Sequence, residues 1–224
     1  MKVIIILIIV VIFAIFMIQA ITEKSSNKIE QYAYVVEREI GDVEIRQYED
    51  AVFSSVKLND STYANSANKG FRILAGYIFG GNDKGQSIAM TSPVVMEMGK
   101  EMKMSFMVPS AMNMDSLPQP NDGRVYQEKV KGSKMAVIRF GGWASDEKIE
   151  EQKKKLIDVL NDNGLSYEEP FLYMGYNPPY QLVNRRNEVG VRVLWMALVW
   201  IIYSYCMRIE VFVLNLAHEN VNYE

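Results

Sequence analysis

The chain has 224 residues and a formal net charge of -3, room for one sizeable domain with appendages but no basic face to neutralise a nucleic-acid backbone. Its one cysteine, Cys206, excludes an intramolecular disulfide framework and a cysteine-built zinc site. Its one histidine, His218, lies in a polar terminus and leaves the main body without histidine triads or histidine metal sets.

After Met1-Lys2 the chain reads VIIILIIVVIFAIFMIQAIT, twenty residues without a charge. That matches the roughly 20 residues a helix needs to cross a bilayer. A cleavage site ending at Ala20 would put Ile18 where a small residue belongs, so an uncleaved signal-anchor over residues 1–22 is expected. With Lys2 on the cytoplasmic side, the remainder lies on the extracytoplasmic side as a single-pass membrane protein. Residues 23–31, polar but for Ile29, are a linker.

Strands are expected at Tyr34–Glu39, Val43–Tyr48 and Ala51–Leu58, where valine, isoleucine and tyrosine alternate with polar residues. Ser61 caps an expected helix running to Tyr77, with the stripe Tyr63, Ala67, Phe71, Leu74 and Ile78. Glycines in FGGNDKG stop it. Further strands follow at Ser87–Thr91, Val94–Met98 and Lys103–Val108, then a proline-rich loop. The pattern continues with strands Val125–Val130 and Lys134–Phe140 and a helix over Asp146–Asn163. That helix has Ser145 as N-cap, Gly164 as C-cap and Ile149, Leu156, Val159 and Leu160 on its buried face. Strands Phe171–Tyr176 and Glu188–Val193 close the sequence of elements, with Glu168 and Glu169 in a loop.

The two halves correspond at a constant offset of 85 residues. Ala51-Val52 falls on Ala136-Val137, Ser61 on Asp146 at the second helix start, and Pro93 on Pro178. A duplicated β-α-β-β unit follows, an α+β domain with two helices packed on a largely antiparallel sheet.

Four motifs carry a resemblance: GGNDKGQSIAMTSPV, IRFGGWAS, GYNPPY and RRNEV, in that order between residues 80 and 189. Together they resemble the SOUL haem-binding protein family, over residues 32–193. The resemblance implies a pseudo-symmetric, distorted antiparallel β-barrel with two helices. It also implies non-catalytic binding of haem or another tetrapyrrole, for buffering or transfer, in an apolar cleft beside the first helix.

Carried over position by position, the resemblance puts the apolar contacts at Phe71 and Ala75. Its basic positions fall on Asn68, Gly76 and Gln181, all uncharged here; Lys69 and Arg72, within a turn on the same helix, are the substitutes. Met90, within the first motif, and Tyr180, at the end of the third, are further candidate contacts. Haem or free porphyrin is the expected cofactor. The axial ligand is left open among Met90, Met96, Met98, Tyr77 and Tyr180, because the domain has no histidine.

Two other readings stand beside this one. The pairs Met96-x-Met98, Met102-x-Met104 and Met112-x-Met114 offer soft thioethers suited to Cu(I). Residues two apart on a strand share a face, however, so such pairs also describe a methionine-rich core strand. A protein-interaction module without a ligand is the third reading. No catalytic constellation is evident among the carboxylates, so no enzyme is expected. Residues 194–224 form an apolar extension that the family pattern does not include; Gly190, just before it, stands where the family usually has tryptophan.

Overall fold

Apolar–polar alternation drives the chain into strands from Tyr34 onward, and the structure follows it closely. This computed structural model describes residues 29–60 and 62–194, and positions 4, 7, 9, 10, 13, 17–19 and 22. The elements are β1 (Tyr34–Ile40), β2 (Val43–Tyr48), β3 (Ala51–Leu58), α1 (Tyr63–Ile78), β4 (Val94–Met98) and β5 (Met102–Met107). They continue with β6 (Val125–Val130), β7 (Lys134–Phe140), α2 (Asp146–Asp162), β8 (Tyr167–Gly175) and β9 (Asn187–Val193).

All nine strands form one antiparallel sheet in the order β1-β2-β7-β9-β8-β4-β5-β3-β6. Outside β1 the order is symmetric about the β8–β4 pair. β9, β7 and β2 on one side mirror β5, β3 and β6 on the other. An offset of 85 carries β5 onto 187–192, the length of β9 less one residue. The leading strands are exchanged: β2 pairs with β7 of the second unit and β6 with β3 of the first. The repeated β-α-β-β plan is therefore built into one shared sheet.

The expected barrel is not closed. β1 bonds only to β2 and β6 only to β3, leaving two sheet edges. The sheet nevertheless curls, because Tyr32 packs on Tyr48 from one end at 4.7 Å and on Phe53 from the other at 5.3 Å between ring centroids. Side-chain contact joins the two ends, while backbone hydrogen bonding does not.

One face of the sheet carries the helices and the main core, including Val56, Leu74, Met104, Leu156 and Val191. The other, concave face holds a second cluster built from Tyr32, Tyr48, Phe53, Met135 and Met174. Met96 lies opposite Met104 in the β4–β5 register, and both are almost wholly buried. Met102 is buried and Met98 half-buried in the same core. The strand Met-x-Met pairs are thus packing elements, as two-residue spacing on a strand dictates.

Four local expectations change. The N-cap position of α1 is Thr62, which makes no side-chain cap. Asp146 at the start of α2 supplies the acceptors, bonding the backbone amides of Tyr63 and Ala64 at 2.6 and 3.1 Å. Ser87–Thr91 is not a strand; the Ile88 amide bonds to the Ile78 carbonyl at 2.7 Å, and only isolated bridges form at Ser87 and Ser92. β8 begins at Tyr167, so Glu168 and Glu169 are strand residues, with Glu168 opposite Arg192. Lys103, expected to start its strand, instead follows Met102.

Every described position between 4 and 22 is helical. Among the described residues no helix is long and apolar enough to cross a membrane. The anchor over 1–22 and the linker over 23–31 fall mostly outside the described residues. The extension over 194–224 falls outside them beyond Leu194.

Candidate functional site

Helix α1 presses one face onto β3, β5 and β6. Gly70 makes this close approach possible: a Cβ there would lie 2.8 Å from Leu58 Cδ1 and 3.0 Å from Met104 Sδ. Ser66, Leu74, Tyr77 and Ile78 are buried on that inner face. The opposite face carries Lys69, Arg72 and Gly76, with Ile73 half-buried beside them. Spacings of three and four put these four residues on one helix surface.

A glycine turn then folds the chain back along the helix. Gly80 has a φ of +105°, and a Cβ on Gly81 would lie 2.5 Å from the Gly76 carbonyl oxygen. Asn82 staples the turn: its Nδ2 donates to the carbonyls of Tyr77 and Gln86, and its Oδ1 accepts from the Gln86 amide at 2.9 Å. The Asp83 carboxylate accepts from the Gln119 amide at 2.8 Å, and the Asn121 amide donates to the Gly81 carbonyl at 3.1 Å. These bonds bring the loop ahead of β6 alongside α1, and Arg124 with it.

The result is a shallow groove of about 470 Å³ lined by Lys69, Arg72, Ile73, Gly76, Tyr77 and Arg124, among others. That volume falls within the roughly 300–1,000 Å³ of small-molecule sites. Gly76 leaves its floor bare, since a Cβ there meets nothing within 4 Å. Phe79, which caps α1, is 68% exposed. It continues the stripe of Phe71 and Ala75 at four-residue intervals.

Three cations face the groove. Arg124 forms a tight pair with Asp122 at 2.6 Å, and those hydrogen bonds lower the Asp122 carboxyl to about 2. Lys69 reaches Asp60 at 3.4 Å across exposed surface. Arg72 has no ion pair among the described residues. The Tyr77 hydroxyl is committed, donating to the Pro118 carbonyl at 2.9 Å and accepting from Gln127 at 3.2 Å. Burial raises its pKa above the ordinary phenol value. It is a wall rather than a free iron ligand.

The structure gathers some sequence-predicted residues and separates others. Lys69 and Arg72 lie in the groove. Phe71 is 37% exposed and packs edge-on against Phe106 at 5.3 Å, and Ala75 is half-buried on the same helix. Met90 is half-buried against the main core. Tyr180 and Gln181 belong instead to the β8–β9 loop, bordering a larger polar cleft of about 1160 Å³ to which Gln181, Arg139 and Arg185 contribute. Tyr180 is 66% exposed; Gln181 is buried. Arg124 and Ile73 escaped sequence reasoning. Arg124 enters through loop–loop hydrogen bonds, which leave no local periodicity.

A further pocket of about 510 Å³ opens on the concave face of the sheet, with Tyr32, Phe53, Met135, Leu172 and Met174 in its lining and Arg192 at its rim. Burial pushes the Tyr32 hydroxyl up to about 12, so it stays neutral. Among the described residues no three His, Cys, Asp or Glu side chains cluster as a metal set.

A family model described as SOUL heme-binding protein matches residues 29–192. Heme-binding protein 2 of Homo sapiens is 33% identical over 158 residues, covering 66% of this chain and 77% of that protein. Its counterpart from Mus musculus is 32% identical with the same coverage. Among solved structures, the EcmrR C-terminal domain is similar with a TM-score of 0.55 at 9% identity, covering 68% of this chain and 96% of that one. At that identity the likeness shows the fold alone.

Proposed function

The chain belongs to the SOUL heme-binding protein family, and from that premise we propose that it binds haem or another tetrapyrrole non-catalytically in the groove along α1. The observation that carries this reading is the bare floor at Gly76, with Lys69, Arg72 and Arg124 around it and Phe79 exposed beside it. A porphyrin presents a flat apolar face and two carboxylates. Ile73, Gly76 and Phe79 suit the face, and the cations suit the carboxylates. Asp122 is committed to Arg124, so the groove offers recognition groups rather than a general base.

These residues fit the macrocycle better than the metal. No groove side chain is a histidine, cysteine or methionine, and the Tyr77 hydroxyl is taken. When bound, haem would bring its own redox chemistry; what this chain supplies is an apolar platform and charge.

The membrane reading is part of the same proposal. Residues 3–22 anchor the chain, with Lys2 cytoplasmic and the domain on the extracytoplasmic side. Twenty uncharged residues support it, as do Ile4, Leu7, Ile9, Val10, Phe13 and Ile18, each 57–64% exposed. Protease accessibility in sealed vesicles tests the orientation.

The deciding experiment is a titration of residues 28–193 with hemin and with metal-free protoporphyrin, followed by absorbance. Comparable saturable binding of both is expected. If neither gives a saturable change, the tetrapyrrole reading fails and an interaction module takes its place.

A further inference from the structure

The β8–β9 loop turns its polar groups inward and its apolar ones outward. Gln181 is 1% exposed, and its Nε2 donates to the Val183 and Asn184 carbonyls at 3.1 and 3.4 Å. Arg185 Nη1 donates to the Pro178 and Gln181 carbonyls at 2.9 and 2.7 Å, and its guanidinium lies 4.2 Å from the Trp143 ring centre. The loop is thereby held in shape from within. Meanwhile Tyr180, Leu182, Val183 and Trp143 are 66%, 53%, 51% and 56% exposed. A soluble surface gains nothing from four large apolar side chains on one polar scaffold.

The same loop is tied to the end of the N-terminal apolar segment. The Leu182 amide donates to Gln19 Oε1 at 2.8 Å, and Gln19 Nε2 donates to the Tyr180 carbonyl at 3.3 Å. Gln19 and Thr22 are 8% and 9% exposed. Sixteen residues, Val3–Ile18, precede Gln19 without a charge. As a helix they span about 24 Å, somewhat less than the ~30 Å hydrocarbon core. Gln19 therefore falls near the boundary between acyl chains and headgroups, and the loop bonded to it falls at the same depth.

We propose that Tyr180, Leu182, Val183 and Trp143 form a second membrane contact that seats the domain on the lipid surface at the outer end of the anchor. This rests on the anchoring read for residues 3–22. Tyrosine and tryptophan favour that interfacial depth, where one end of the side chain is apolar and the other wet. Leu182 and Val183 enter the acyl boundary, and the exposed Arg139, beside the loop in the polar cleft, faces the phosphate layer. The Gln19 bonds fix the loop against the anchor, so the domain is oriented rather than tethered on a free linker.

The test uses the full chain in phosphatidylcholine vesicles. An environment-sensitive fluorophore is placed at Leu182→Cys in a Cys206→Ser background, and separately at Glu101→Cys in the β4–β5 turn. Nitroxide-labelled lipids then report depth. After alkaline flotation the chain is expected to stay with the vesicles. Quenching at 182 is expected to exceed that at 101 by about threefold or more, as for an interfacial side chain. If the chain floats but both labels are quenched alike, the loop faces water and the contact is overturned while the anchor stands. If the chain does not float, the anchor itself fails and the contact falls with it.

Discussion

Arg46 on β2 and Glu188 on β9 lie 142 residues apart in sequence and form a bidentate pair at 2.8 and 3.0 Å, reaching across the intervening β7. Both are almost wholly buried. Glu188 also accepts from Tyr176 at 2.9 Å and from Arg186 at 2.9 Å, while Arg46 donates to Tyr48 at 3.0 Å and Glu44 at 2.7 Å. Tyr34 and Tyr176 cover the two guanidiniums at 4.2 and 3.8 Å from their ring centres. Such a network tolerates loss of a member badly, because the partner is left as an uncompensated buried charge. Glu188→Leu leaves the buried Arg46 with the half-buried Glu44 as its remaining carboxylate and takes the ion-pair partner from Arg186, and is expected to cost about 3 kcal/mol. Urea denaturation of the variant against the parent measures it; a loss below about 1 kcal/mol would mean water reaches the network.

The same carboxylate sets an acid limit on stability. Burial alone would raise the Glu188 pKa, but the hydrogen bonds and charge of Arg46 and the charge of Arg186 outweigh it and hold it below the ordinary 4.5. A depressed folded value means that the contribution is complete above the unfolded value and drains away as pH falls through the folded one. The parent should therefore lose stability more steeply than Glu188→Gln below about pH 4.5, the two curves converging in acid. Parallel urea midpoints across that range would show that Glu188 does not carry the effect.

Asp146 joins the two helices at their starts. Because Thr62 offers α1 no side-chain cap, the Asp146 carboxylate accepts from both the Tyr63 and Ala64 amides while occupying the first turn of α2. Its charge favours both helix N-termini. Asp146→Ala is expected to cost about 1–2 kcal/mol, more than an ordinary single cap. Asp146→Asn, which keeps one acceptor, should cost less. Equal melting of all three proteins would show the cap to be idle.

What could be read in advance was what is local. Ser145 capping α2, Gly164 ending it at a φ of +63°, and buried Leu156 and Leu160 follow from spacing alone. The offset of 85 residues holds for β3 and β7, for the two helices and for β5 and β9, but it puts β4 at 179–183 in the β8–β9 loop, so it did not locate the central β8–β4 pair. What stayed hidden depends on partners far along the chain. Arg124 reaches the groove through bonds between the 81–83 and 119–121 segments. Closure of the barrel hangs on whether edge strands meet, which no alternation pattern encodes. Gly190 reads as a missing large side chain; in the fold, the methyls of Met135 and Met174 sit 3.0 and 3.1 Å from where its Cβ would be. Adaptable methionines fill that space from neighbouring strands.

Gly76 separates the groove from the other cavities. It stands inside α1 with nothing within 4 Å of an added Cβ, so replacing it removes a flexible helix residue without a clash. Gly76→Leu should raise stability by about 0.5–1 kcal/mol. The new side chain occupies the floor on which the macrocycle would lie, so hemin affinity should fall at least about tenfold, or ~1.4 kcal/mol. Arg72→Glu supplies the complementary variant: with no ion pair to break among the described residues, it should leave melting unchanged and weaken binding through charge. Opposite movements of stability and affinity in Gly76→Leu cannot arise from unfolding. Unchanged hemin binding in both variants would remove the α1 groove from consideration. It would direct the search to the concave face of the sheet, where Met135 and Met174 line an apolar pocket with Arg192 at its rim.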